Sequence, residues 1–253
     1  MKLSLLDAWF RDLLDPDALA GVDDSLNGLQ VSRSGAELDR VAFAVDASLE
    51  SIRRAAEAGA QLLFVHHGLF WGKPLRIEGF LRERIKLLLD ADLALWACHL
   101  PLDRHPVVGN NAVLADMLGL VDREPFGLYH GVKLGFKGRF PEPIDLAEAR
   151  RRVLPDGSPA LALIPAGPAS IGSAAVISGG AAFEVNEAIK EGLDLYVTGE
   201  ASHSIYAAVV ESSTSFLAAG HYGTEVHGVK AVAARLGRET GLETLFLDLP
   251  TGL

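Results

Sequence analysis

"SLESIRRAAEAGAQLLFVHH", residues 48–67, decides the fold when it is set over "AAFEVNEAIKEGLDLYVTGE", residues 181–200. Superposing Gly59 on Gly192 brings Ile52 to Val185 and Ala56 to Ile189. Each stretch reads as a helix closed by glycine, then a short apolar strand with a polar end. One strand further on, "LALWACH" and "SFLAAGH" each end in histidine, at His99 and His221. Helix-glycine-strand grammar is common, but agreement across helix, strand and polar terminus reads as an internal duplication.

Outward from these stretches the alternation continues. "VAFAVD" is strand-like, "FLRERIKLLLDAD" helical, and "NNAVLADMLGL" helical again. In the second copy "SAAVIS", "LDLYVT" and "STSFLAA" are strand-like, with "SHSIYAAVVES" and "TEVHGVKAVAARLG" helical. Strand runs that are apolar along their whole length imply parallel sheets covered by helices. The expected architecture is α/β, with two related halves of mostly parallel sheet, residues 1–125 and 169–253. Residues 126–168 read as a connecting insert, with "KLGFKGRF" strand-like and "PIDLAEARRRV" helical.

The chain has 253 residues, 49% of them hydrophobic, and a mean hydropathy of +0.23, enough to bury a large core. Asp7, Arg11 and Asp12 interrupt the opening "MKLSLLDAWFRDLLD", which reads as an amphipathic helix and not a leader. No apolar run reaches the roughly 18 residues of a membrane span, and a cytoplasmic protein is expected. The lone Cys98 lies in an apolar run and has no intrachain partner for a disulfide. A net charge of −10 without basic runs argues against nucleic acid or anionic lipid as a partner.

P-loop, dinucleotide, serine-hydrolase and zincin motifs are all missing. What remains is a set of histidines and carboxylates at strand ends, where open α/β sheets bind ligands. His66 and His67 end one strand, His99 the next, with Asp103 beyond it, and His221 a third. Side chains alternate along a strand, so two adjacent imidazoles share a task only if the chain leaves the strand there, and Gly68 offers that turn. With a helix starting near His221, Glu225 stands on the same face, roughly 6 Å along the axis. Such imidazole and carboxylate donors suit Zn, Fe, Mn, Co or Ni.

Local explanations exist for several of these residues. A single histidine at a strand end is ordinarily a hydrogen-bonded structural residue, and His99 and His203 carry that reading too. Asp46 and Glu200 read either as helix caps or as carboxylates that orient histidines. Tyr222 and Trp71 read as packing residues or pocket walls.

"NGLQV", "VHHGLFW", "HLPLDRHPVVGNNA", "TGE" and "GHYGTE", in this order, resemble the NIF-three-like family, also called GTP cyclohydrolase I type 2 homologues. The resemblance runs from "NGLQV" to "FLDLP" and is weakest in the insert. It implies a dinuclear centre of two divalent metal ions held by His66, His67, Asp103, His221 and Glu225, one tandem imidazole to each ion, with Glu225 and Asp103 as the candidate bridges. It also implies related halves facing a metal cleft, and a toroidal homohexamer. His99, Glu200 and His203 are expected to support the ligands, with His105 a further candidate for proton transfer.

The expected activity is metal-dependent hydrolysis of a nucleotide or other phosphorylated small molecule, the metal charge drawing an anion despite the net −10. The alternative is a non-catalytic metal-binding or scaffold protein.

Overall fold

The computed structural model describes residues 1–35 and 37–253. They form two compact units. Residues 1–102 and 228–249 make the first, and residues 103–227 and 250–253 the second. The sequence boundaries expected near 125 and 168 both fall inside the second unit.

The first unit opens with α1 (Leu3–Leu14), β1 (Gly28–Val31), β2 (Arg40–Asp46) and α2 (Leu49–Glu57). It continues through β3 (Leu62–His67), α3 (Gly79–Asp90) and β4 (Ala94–Ala97). A short helix α4 (Leu100–Arg104) then carries the chain into the second unit. There follow α5 (Asn110–Leu118), β5 (Val121–Tyr129), β6 (Val132–Ile144), α6 (Leu146–Val153), β7 (Ala162–Ile164) and β8 (Ile171–Val176). Then come α7 (Val185–Glu191), β9 (Leu195–Thr198), α8 (Tyr206–Val210) and β10 (Ser215–Ala218), the two helices each preceded by a 3-10 turn. The long α9 (His221–Thr240) returns the chain to the first unit, where β11 (Glu243–Phe246) closes the order.

The first sheet runs β1-β4-β3-β2-β11, with every pair parallel except the β1 edge. Period-two alternation divides its side chains. Leu63 and Val65 of β3 pack with Ile52 of α2 and Leu88 of α3, while Phe64 faces the other way. There it stacks on Trp96 at 5.4 Å and meets Phe10 of α1 at 5.1 Å and Phe43 at 5.3 Å. The buried Trp96 satisfies its indole N–H on Asp7 at 2.8 Å. Burial on both faces is why β2, β3 and β4 read as unbroken apolar runs.

Ser48 starts α2 with a reciprocal cap. Its hydroxyl accepts from Ser51 N–H at 3.0 Å, and Ser51 Oγ accepts from Ser48 N–H at 2.9 Å. Asp46 is thereby left out of capping.

The second sheet runs β5-β6-β8-β9-β10-β7, parallel across β8-β9-β10 and antiparallel elsewhere. Its β8-α7-β9-α8-β10 segment repeats the β2-α2-β3-α3-β4 plan of the first. One face packs under α5 and α6 through Leu114, Leu118, Ala149 and Val153. The other packs under α7 and α8 through Val185, Ala188, Ile205 and Val209. The stretch expected as an insert supplies β6, an interior strand paired with both β5 and β8, with Phe136, Lys137 and Arg139 of "KLGFKGRF" in register on both edges.

One local expectation is corrected. β3 continues through His67, paired with Asp46, so the chain has not left the strand at the tandem histidines. Their ring centroids are nonetheless 4.6 Å apart. Pairing with β4 ends at Val65 opposite Ala97, one residue before the tandem histidines. Gly68 has no positive φ; a Cβ there would lie 2.7 Å from the Ala97 Cβ and collide with the Gln30 amide. Close approach, not a left-handed turn, requires the glycine.

Candidate metal centre

In the first unit three imidazoles gather at the carboxyl ends of β3 and β4. Each has its Nδ1 tied to an oxygen. His66 Nδ1 meets the Cys98 carbonyl at 2.8 Å, His67 Nδ1 meets Asp46 at 2.8 Å, and His99 Nδ1 meets Asp23 at 2.9 Å. A carbonyl or an ionised carboxylate can only accept, so the Nδ1 carries a proton and Nε2 is the nitrogen that can offer a lone pair. The ring nitrogens these residues offer lie within 4.8 Å of one another, a group that could hold a metal ion. This is how metal-binding histidines are commonly oriented, by an outer acceptor on the far nitrogen.

Asp23, which sequence reasoning did not single out, anchors this arrangement. Besides the His99 ring it accepts from Ser25 N–H at 2.9 Å, Asn27 Nδ2 at 2.9 Å and Leu100 N–H at 3.1 Å. Burial pushes its pKa up, but the bonds from His99, Asn27 and Ser25 outweigh that and hold the carboxyl below its ordinary value. Asn27 also accepts from His99 N–H at 2.8 Å. The "NGLQV" stretch thus acts as a brace. Gln30 accepts from Leu69 N–H at 2.7 Å, just past the tandem histidines. Trp71 stands edge-on to His99, ring centroids 5.0 Å apart, and forms a wall.

In the second unit Asp103 is buried and accepts from Asn110 Nδ2 and Ser178 Oγ, both at 2.9 Å. Asp103 and Glu225 each offer a carboxylate oxygen within 4.8 Å of the other. α9 begins at His221, and one turn later Glu225 Oε1 lies 3.1 Å from His221 Nε2. Glu200 Oε1 meets His221 Nδ1 at 2.6 Å. Chiefly Glu225, with Glu200 adding, raises His221 to a pKa of about 9 despite burial. Thr224 Oγ1 accepts from Gly179 N–H at 3.0 Å and fixes a loop at φ +66° beside the Glu225 carboxylate.

Two sequence candidates stand apart. His203 is exposed at the start of a 3-10 turn and joins none of the donor groups found among the described residues. His105 accepts from Val107 N–H at 3.1 Å and Val108 N–H at 3.0 Å, which makes it a turn-forming residue.

Nitrogen-rich donors at the strand ends, oriented by carboxylates and a backbone carbonyl, define an α/β protein with side chains suited to a transition metal. The chain belongs to the Duf34/NIF3 (NGG1p interacting factor 3) family, whose model matches residues 1–251. It is 42% identical to the protein named GTP cyclohydrolase 1 type 2 homolog of Treponema pallidum, covering 98% of each chain. It is also 42% identical to the protein of that name from Archaeoglobus fulgidus, over all of both chains. Among solved structures it resembles TTHA1606 of Thermus thermophilus, with 40% identity, a TM-score of 0.88 and full coverage of both chains. Reduced HcgD of Methanocaldococcus jannaschii matches at 26% identity and TM-score 0.85, over 98% of each chain.

Proposed function

We propose that this chain is a hydrolase dependent on two divalent metal ions and acting on a nucleotide or other phosphorylated small molecule. The ligands in this reading are His66, His67, Asp103, His221 and Glu225, the set that the family resemblance implies. The observation that carries it is the orientation of the tandem histidines, each held through Nδ1 so that Nε2 is the nitrogen with a lone pair for coordination. The donor chemistry also fits: imidazoles and carboxylates with no thiolate among them suit Zn, Fe, Mn, Co or Ni.

Bound divalent ions would supply Lewis acidity and lower the pKa of water at the site. The chain's own residues do the rest. Asp46 and the Cys98 carbonyl keep His67 and His66 in one tautomer. Asn110 and Ser178 hold Asp103 in place. His221 must give up the proton that Glu225 helps it keep, so loading is coupled to proton release.

The reading includes a homohexamer, carried by the family resemblance and served by exposed Phe80, Ile77 and Leu75 near α3. It places the protein in the cytoplasm, where a lone buried cysteine suits reducing conditions. The names of the relatives suggest a purine nucleotide as substrate.

The test is metal analysis of protein purified without added metal, then a hydrolase panel on the same preparation. Two equivalents of metal and turnover abolished by chelation are expected. Asp103→Asn should slow turnover even where metal stays bound. Metal without chelator-sensitive turnover on any phosphorylated substrate would favour the metal-binding or scaffold alternative, and no metal at all would remove the whole reading.

A further inference from the structure

We propose that a basic cavity beside the end of α4 binds the phosphate of a phosphorylated small molecule, with Arg104 and Lys133 as the residues that recognise it. This rests on the substrate class proposed above and adds the place where its phosphate is held. The cavity lies wholly inside the second unit.

Its volume is about 390 Å³, within the roughly 300–1,000 Å³ usual for small-molecule sites. Pro106, Pro125, Val132 and Phe136 form apolar walls, and Arg104 and Lys133 bring the charge. No carboxylate among the described residues lines it. Apolar walls with two like charges suit an anionic group carried on an organic skeleton.

The state of the two cations carries the argument. Lys133, Lys137 and Arg139 all stand on β6. Lys137 is held by Glu191 at 2.7 Å and Glu124 at 3.3 Å, and Arg139 pairs with Asp122. Lys133 has no such partner; its Nζ donates to the Pro125 carbonyl at 3.2 Å, on the cavity wall. Arg104 forms no hydrogen bond or ion pair among the described residues. In a chain of net charge −10, two cations without a carboxylate in one cavity are a departure that a phosphate explains. A guanidinium takes two phosphate oxygens at once, and an ammonium adds a point charge.

The frame around them is fixed. His130 at φ +46° and Gly131 at φ +87° close the β5–β6 hairpin in a left-handed two-residue turn just ahead of Lys133. Asn111 donates to the Leu134 carbonyl at 3.0 Å and accepts from Ser178 N–H at 2.6 Å, while Ser178 Oγ donates to Asp103 at 2.9 Å. One hydrogen-bonded chain therefore joins the cavity wall to Asp103, the residue before Arg104. Neighbours on a helix do not face each other, and Asp103 is buried where Arg104 is exposed. The phosphate held here is accordingly a handle away from the reacting bond, and its binding energy places the substrate.

The test is calorimetric titration of the full-length chain, stripped of metal, with AMP, inorganic phosphate and adenosine at low salt. AMP should bind once per chain, and clearly more tightly than either of the other two. Arg104→Gln and Lys133→Gln should each weaken AMP at least about tenfold, as loss of a charge-assisted hydrogen bond does, and together more than either alone. Arg104→Lys should recover part of that loss. Lys190→Gln/Arg238→Gln, which removes two exposed cations elsewhere, should leave AMP affinity unchanged.

All four replaced side chains are exposed, so far-UV circular dichroism should be preserved throughout. Equal affinity for AMP and adenosine, or AMP binding indifferent to Arg104→Gln and Lys133→Gln together, would overturn the proposal. Equal affinity for AMP and inorganic phosphate would also overturn it, marking a simple anion site. Binding that appears only after metal is restored, and ignores both substitutions, would do the same, because the ions would then hold the phosphate. None of these results bears on metal stoichiometry or chelator-sensitive turnover, by which the proposed function is judged separately.

Discussion

Gly179→Ala tests the geometry around Glu225 most directly. Gly179 has φ +66°, and an alanine Cβ there would stand well inside contact distance of Glu225 Oε1 and 3.3 Å from His221 Nε2. Two costs add. An L-residue in left-handed backbone costs roughly 1–2 kcal/mol. Glu225 cannot simply swing away, because it is buried and its Oε1 is 3.1 Å from His221 Nε2. Breaking a hydrogen bond to a charged group costs about 1.5–3 kcal/mol.

The sum is roughly 2.5–5 kcal/mol, which for a chain of this size corresponds to a fall in Tm of at least about 5 °C. Gly192→Ala is the matched control. Its φ is +71°, and nothing lies within 4 Å of the added Cβ. It should bear the backbone cost alone, about 1–2 kcal/mol. Thermal unfolding of both metal-free variants by circular dichroism, followed by Co²⁺ titration, separates the two terms. Gly179→Ala should be the less stable and should bind metal more weakly. Equal Tm values with unchanged cobalt affinity in both would refute the crowding argument.

Four further outcomes are expected. His66→Ala and Glu225→Ala should each lower metal content by elemental analysis with the far-UV spectrum preserved, because the cores of both units lie elsewhere; full occupancy in both would contradict the ligand assignment. In metal-free protein His221 has its pKa raised from 6.5 to about 9, so the stability it adds is complete below about pH 6.5 and is lost as pH climbs through about 9. Urea midpoints of wild type and His221→Gln should therefore converge over that interval, and a gap that widens with pH would count against the Glu225 contact. Asp23, depressed below 3.8, contributes stability present above that value and lost as pH falls through its lower folded pKa, so Asp23→Asn should flatten acid unfolding there. Light scattering should give the mass of six chains, and a monomer at all working concentrations would remove the hexamer.

Legibility followed how local each cause was. β2, β3, β4, β9 and β10 were readable because both faces are buried and every position is therefore apolar. Two of their helices, α2 and α7, were readable from the glycines that follow them, whereas the cap at Ser48 was not read and Asp46 stood in its place. The edges were not. β5, "VDREPFGLY", is largely exposed and carries a proline and three charges, and only its pairing with β6 makes it a strand. β11 is four residues long and exists through its register with β2, some two hundred positions earlier. For the same reason β6 read as part of an insert: a strand between two antiparallel neighbours announces itself through partners, not through its own period.

The site divides along the same line. His66, His67, Asp103, His221 and Glu225 were legible because their types are costly to bury without a purpose and because each falls at or just beyond the end of an apolar run. Asp23 was invisible because its meaning lies 76 residues away, on His99, and its sequence neighbours make it look like any acidic loop residue. Asn27 and Gln30 share that concealment, since one holds the His99 backbone and the other the turn after His67. What decides the chemistry of an imidazole is which nitrogen keeps its lone pair, and that is set by an acceptor brought from elsewhere in the fold. A sequence can nominate the ring, but only the tertiary partner fixes its tautomer. The carboxylates Asp23, Asp46 and Glu200 are therefore where variation among otherwise identical ligand sets should alter metal affinity most.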